Sequence, residues 1–306
     1  SIISMLNNEF SDSGITECID VGEKELKRFE DYYTLEQEIF EISAGNNLND
    51  ERVLCYAQPI YSIDDGKYRT AEALMRMNIN GRMYFPDQFI PAAENNNCIH
   101  SLTMIMLNKV CRQIKEMEGK YDFEAITVNC STEELEKKSF HKDVMDIIDD
   151  NEIDPSHIRL EITESIAVGN YENIMYNMKT LKRYGVNFYL DDFGTGYSNL
   201  ERLISFPFTT IKFDKSIFYK ALETSKAEKL LNVLVAFFTS NGFTALVEGV
   251  EDCRQSEYAK DRGFQYIQGY HYSKPKPIDR LTEYFDKIAK YEIADPVEML
   301  ENRYVC

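Results

Sequence analysis

The sequence predicts an α/β fold, a TIM-like (β/α)8 barrel with one antiparallel strand near its start. Three observations carry that expectation. Short apolar runs alternate with helical patterns over most of the chain, the signature of a parallel sheet with helical crossovers. Seven or eight such runs fall within roughly 235 residues, and a closed barrel accommodates that many strands more economically than an open doubly wound sheet, the runner-up. The first two runs, Val53 to Ile60 and Tyr68 to Leu74, flank Asp64-Asp65-Gly66-Lys67. An Asp-Gly pair in that position signals a hairpin, so these two strands are expected to be antiparallel neighbours.

In chain order, residues 1–50 are polar and acidic, with a helix-like stretch from Tyr32 to Ile42 and a break at Gly45 to Asp50. We expect this segment to be a linker or the remnant of an upstream region. Its start, SIISMLNNEF, has no initiator Met and no basic n-region or cleavage pattern of a secretion signal. The barrel is expected over 51–290, with a C-terminal tail over 291–306. Within the barrel, Glu94 to Asn97 reads as a helix-interrupting turn. Strands are expected at Ala125–Val128, Ile158–Ile162, Val186–Leu190, Thr210–Phe213, Thr244–Val247 and near Tyr266. Helices are expected at Glu133–Asp149, Tyr171–Tyr184, Lys226–Asn241 and Arg254–Arg262. Gly185, Gly242 and Gly263 stand where helices give way to strands, the usual place for a left-handed cap. No apolar run approaches the roughly 18 residues that span a bilayer; the longest, Leu230 to Phe238, reads as a buried helix.

Almost every expected strand ends in an ionisable or amide side chain: Glu72, Asn129, Glu161, Asp191-Asp192, Lys212, Glu248 and Gln268. In a parallel barrel the carboxyl ends of the strands open on one face, so these groups converge. One such residue would be unremarkable, because charges often mark where a strand reaches water; the full set forms a constellation. It holds five carboxylates and one Asn but no His or Cys, a donor set suited to Mg²⁺ or Mn²⁺ rather than zinc. Five carboxylates exceed what one Mg²⁺ takes, which points to two ions sharing a bridging carboxylate, an arrangement suited to in-line phosphoryl displacement. Lys212 is the single cation in the ring. Neighbouring residues of a strand face opposite ways, so Asp191 and Asp192 both reach the site only if the strand stops there, at Phe193-Gly194-Thr195-Gly196.

The net charge of −18 disfavours DNA or RNA polymers as partners. A small anionic substrate would need local cations. Seven scattered cysteines without a Cys-x-x-Cys pair argue for reduced thiols and a cytoplasmic setting, and with no spanning apolar run this segment is expected to make no membrane contact.

The stretch YAQPIYSIDDGKYRTAEALMR, followed in order by VNCS, LEITES, LDDFGTGYSNL, IKFDKS, VEGVE and QGYHYSKP, resembles the EAL-type cyclic di-GMP phosphodiesterases, with Glu72-Ala73-Leu74 as the naming motif. The resemblance covers about residues 52 to 280. It implies a barrel with one reversed strand, and a hydrolase that uses two Mg²⁺ or Mn²⁺ ions to cut cyclic di-GMP to linear pGpG. Position by position, it makes Glu72, Asn129, Glu161, Asp191, Asp192 and Glu248 metal ligands, with Asp191 as the bridge. Lys212 would contact the attacking water, Glu248 would share in the chemistry, and Glu164 would prop the loop after the Asp pair. Gln58, Leu74 and Arg76 would meet the substrate, with Gln268 and Glu251 nearby at the rim. A homodimer is implied by analogy only. Two features depart from the family pattern: Met77 replaces a usual aromatic residue, and the following loop, NINGRMYFP, is short. The alternative is a catalytically silent module that binds the same nucleotide. An unrelated metal-dependent barrel enzyme with Lys212 as base is more remote.

Overall fold

The computed structural model describes residues 22–167, 170–195 and 200–288. Ten strands form one sheet: β1 Val53–Ser62, β2 Lys67–Ile79, β3 Arg82–Tyr84, β4 Ala125–Asn129, β5 Ile158–Thr163, β6 Asn187–Phe193, β7 Thr210–Phe213, β8 Thr244–Val247, β9 Tyr266–Ile267 and β10 Lys276–Pro277. The described helices are α1 Glu23–Gly45, α2 Pro86–Asn95, α3 Ile99–Met117, α4 Thr132–Glu136, α5 Phe140–Asp150, α6 Tyr171–Tyr184, α7 Leu200–Ser205, α8 Lys215–Glu223, α9 Ser225–Ser240 and α10 Cys253–Asp261. The chain divides into two compact units, Ser1–Cys55 with Met75–Lys109, and Tyr56–Leu74 with Val110–Cys306.

The second unit holds the barrel. Its strand order is β1-β9-β8-β7-β6-β5-β4-β2, and pairing of β1 with β2 closes the ring. Strands β2 and β4 to β9 run parallel, whereas β1 is antiparallel to β9. The expected reversed strand is therefore present. At its turn, Gly66 has φ +68°, and its N–H reaches Ser62 O at 3.1 Å. A left-handed residue here favours glycine, which has no Cβ to clash. Strand β7 is buried along its whole length and β4 up to Asn129, as expected of parallel strands covered by helices. Helix α6 ends where the sequence placed its cap. Gly185 takes φ +113° and returns its N–H to Leu181 O and Lys182 O.

Several boundaries moved. The helix expected over Glu133–Asp149 is two, α4 and α5, because Lys137 leaves the helix with extended backbone. Helix α8 was not anticipated; Asp214 caps it, accepting the Ser216 N–H at 2.8 Å. The run Leu230 to Phe238 is helical but not buried throughout. Leu231, Val235 and Phe238 face inward, while Leu230, Val233 and Phe237 are exposed. The five cysteines among the described residues form no disulfide. No described helix is long and apolar enough to cross a membrane.

In the first unit, α1 extends well beyond the expected Tyr32–Ile42 stretch and buries Leu35, Ile39 and Ile42. Arg52 fastens it, reaching Glu38 at 2.7 Å and Asp50 at 2.8 Å. The segment NINGRMYFP is a hairpin rather than a plain loop. Asn80 and Gly81 both have positive φ, and β3 pairs antiparallel with β2, the two-residue turn that Asn-Gly favours. The turn near Glu94 to Asn97 separates α2 from α3 as expected.

Candidate active site

The strand-end side chains meet at the carboxyl end of the barrel. Lys212 is fully buried, and its Nζ lies 2.6 Å from Glu161 Oε2, 2.7 Å from Glu248 Oε1, 2.9 Å from Asp191 Oδ1 and 3.4 Å from Glu72 Oε2. Each strand delivers its group through the ladder. Glu72 stands opposite Thr127, Asn129 opposite Glu161, and Lys212 opposite Leu246. Asn129 Nδ2 donates to Glu72 Oε1 at 3.0 Å. Gln268 Nε2 donates to Glu72 Oε2 at 2.6 Å and to Gln58 Oε1 at 3.2 Å, while Gln58 Nε2 donates to Ser273 O at 2.9 Å. Gln58 and Gln268 are both buried and fix Glu72 from behind.

The Asp191-Asp192 pair reaches the site by a route the sequence did not suggest. The strand does not stop at the pair; it bulges. Its register against β7 shifts between Leu190 and Phe193, and Asp192 adopts φ +56°. A left-handed residue in a bulge re-aims the chain by one position, so neighbouring carboxylates share a face. Oxygens of Glu72, Glu161 and Asp191 lie within 4.8 Å of one another, and so do those of Asp191, Asp192 and Glu248. Asp191 is common to both groups.

Electrostatics explain what this cluster would hold. Burial is the largest influence on each group, and it opposes charge. It pushes Glu161 well above the usual carboxylate range, Glu248 to about 8 and Asp192 to about 6, with neighbouring carboxylates adding to each. Glu72 runs the other way. Lys212 and the Gln268 and Asn129 amides overcome its burial and hold it below the ordinary value. Lys212 itself is drawn down by burial, but four carboxylates outweigh that and hold it well above an ordinary lysine. One ammonium does not satisfy the set. Glu161 Oε1 has no hydrogen-bond partner, and Asp191 Oδ1 has none of good geometry. Buried carboxylate oxygens left over beside an all-oxygen donor set fit hard divalent cations.

The other expected residues are placed as follows. Glu164 is buried in a 3-10 turn after β5, and its Oε2 accepts the Gly194 N–H at 3.3 Å. The rest of that loop, residues 196–199, lies outside the described residues. Glu251 is exposed, with its N–H on Gln255 Oε1 at 2.7 Å, and it is not among the carboxylates around Lys212. Leu74 is half-buried two residues past Glu72. Arg76 belongs to the first unit, where its guanidinium covers the Phe85 ring at 5.1 Å and its Nη1 bonds Met75 O. Sequence reasoning passed over Tyr219, whose hydroxyl donates to Gly249 O at 2.6 Å. Its signal was the unrecognised helix opened by Asp214.

A closed α/β barrel with acidic groups clustered at its carboxyl end defines the class of protein. Comparison with known proteins then gives the family. The EAL domain model matches residues 43–275, and the chain belongs to the EAL family. An uncharacterized signaling protein of Caulobacter vibrioides is 32% identical over 234 residues, covering 76% of this chain and 29% of that protein. The cyclic di-GMP phosphodiesterase NbdA of Pseudomonas aeruginosa is 27% identical over 255 residues, 83% of this chain and 32% of that protein. The solved complex of the PaMucR phosphodiesterase with c-di-GMP matches with a TM-score of 0.73 at 27% identity, covering 81% of this chain and 99% of that one. The chain spans about 30% of the length of these curated relatives.

Proposed function

We propose that the barrel hydrolyses one phosphodiester bond of cyclic di-GMP, giving linear pGpG, with two Mg²⁺ or Mn²⁺ ions at the acidic cluster. The observation that carries this reading is the pair of carboxylate groups sharing Asp191 around a buried lysine. Glu72, Asn129, Glu161 and Asp191 would hold one ion; Asp191, Asp192 and Glu248 would hold the other. The ions would polarise the attacking water and balance charge on the leaving oxygen. Lys212 keeps its ammonium fixed among the carboxylates, where it can orient that water or a phosphate oxygen. Glu248 meets Lys212 with its side chain 21% exposed, placed to pass the water's proton outward. The water oxygen bonds phosphorus, the bond to one 3′ oxygen breaks, and that oxygen takes a proton. Gln268 and Asn129 hold Glu72 in register, with Gln58 behind Gln268; Gln58, Leu74, Arg76, Gln268 and Glu251 are proposed to meet the nucleotide.

The same reading makes residues 51–290 the catalytic domain, acting in the cytoplasm, with 1–50 as a linker or the remnant of an upstream region and 291–306 as a tail. Incubation with cyclic di-GMP tests it. Linear product should form with Mg²⁺ or Mn²⁺ and cease with excess chelator; full turnover in chelator would falsify the two-ion reading. Tight nucleotide binding without turnover in either metal would favour a silent binding module.

A further inference from the structure

Helix α8 begins directly after the strand that carries Lys212, and its side chains reach two separate loops. Ile217 packs on the open side of Gly194, where an added Cβ would stand 3.2 Å from the Ile217 Cβ. Tyr219 donates its hydroxyl to Gly249 O at 2.6 Å. Lys215 closes the other side of Gly249, its Cβ 2.6 Å from where a Cβ would stand. Gly194 lies two residues after Asp192, and Gly249 follows Glu248. The helix thus supports the chain just past Asp192 at the end of β6 and the loop that carries Glu248, two of the three members of the second carboxylate group.

Both glycines are left-handed, with φ +104° and +71°. Glycine gives the softest backbone link available, so a carboxylate beside one keeps its aim only if neighbours hold the peptide. Around Gly249 the flanking N–H groups are already tied, Glu248 N to Phe213 O at 3.0 Å and Val250 N to Gln268 O at 3.2 Å. The Gly249 carbonyl is held by Tyr219. The first group is anchored differently, because Glu72 and Glu161 sit within ladder-paired strands.

We propose that helix α8 is a brace that sets the geometry, and hence the affinity, of the second cation subsite, with Tyr219 as a positioning residue. The inference rests on the two-ion reading above. Burial, and then the neighbouring Glu251, raise the Tyr219 phenol above its ordinary value, so the hydroxyl keeps its proton and donates across the neutral range.

Calorimetric titration of the intact chain with Mn²⁺ tests the brace, with turnover and thermal melts recorded alongside. Tyr219→Phe should bind Mn²⁺ about 10-fold more weakly at one subsite, the scale for losing an outer partner of a metal ligand, and normally at the other. Its melting temperature should barely move, and saturating Mn²⁺ should restore turnover. Ile217→Ala, acting on the Gly194 loop, should weaken the same subsite, and it decides the matter if Tyr219→Phe does not fold. Wild-type affinity at both subsites in the two variants overturns the brace and leaves the two-ion reading standing. Equal weakening of both subsites with a lower melting temperature also overturns the brace, since that is general destabilisation. A wild-type chain that binds no Mn²⁺ overturns both.

Discussion

Lys212 is the residue on which the site's electrostatics turn. A buried ammonium is tolerated only where partners replace its lost hydration, and four carboxylates do so here. Lys212→Ala removes the only positive side chain in that contact set, and like charges are left buried together. Turnover should fall about 100-fold or more, as when one positioned electrostatic group is lost, while nucleotide binding persists. Melting in chelator should also drop, and Mn²⁺ should restore it. Near-normal turnover in this variant would show that the lysine plays no part in the chemistry. Glu164 is proposed to act at one remove, through the Gly194 N–H that its Oε2 accepts at 3.3 Å. Glu164→Gln exchanges a charged acceptor for a weaker neutral one, so the variant should need more Mn²⁺ for half-maximal turnover at an unchanged melting temperature. A stability loss of about 1 kcal/mol with an unchanged metal requirement would instead mark a lost helix cap.

At the scale of elements, helix α1 is held to its unit by a charged clasp. Arg52 binds Glu38 on the helix and Asp50 beside itself. Its hydrogen bond to Asp50 is the main cause that holds that carboxyl below the ordinary value, against the opposing effect of burial. The sign follows from linkage. A depressed folded-state pKa contributes stability that is complete above the unfolded value of about 3.9 and is lost as pH falls through the folded value. Asp50→Asn should therefore melt lower than the parent at pH 7. The gap between the two should close below pH 4, which denaturation of both proteins across that range would show. A gap independent of pH would assign the loss to packing instead of charge.

Across the molecule, the two ends of the barrel serve different ends. The carboxyl end gathers acids around a lysine; towards the amino end, Arg159 near the start of β5 sets its guanidinium over the Tyr189 ring at 5.3 Å, bonds its hydroxyl and meets Glu124 Oε2 at 3.0 Å. Arg159→Ala leaves Tyr189 and Glu124 without that partner and should cost roughly 1–3 kcal/mol of stability. Because β5 carries Glu161 two residues further on, the variant also tests whether the ends are independent. Unchanged Mn²⁺ dependence of turnover, measured beside a lower melting temperature, is the expected result. A shifted metal requirement would show that strain passes along the strand.

Much of this was written into the chain by local rules. Alternating apolar runs, the Asp65-Gly66 turn and the cap at Gly185 are short-range signals, and each element they imply is present. Strand-end positions were legible for the same reason: parallel strands share one open face, so Glu72, Glu161, Lys212 and Glu248 had to meet. What tertiary structure alone decided was aim. Asp191 and Asp192 share a face through a bulge and a left-handed Asp192, set by pairing with β7 and invisible to a period-two pattern. Gln58 and Gln268, separated by 210 positions, become neighbours only when β1 closes the ring beside β9. Helix α8 gains its significance the same way, because Tyr219 finds Gly249 across a crossover that no local pattern encodes.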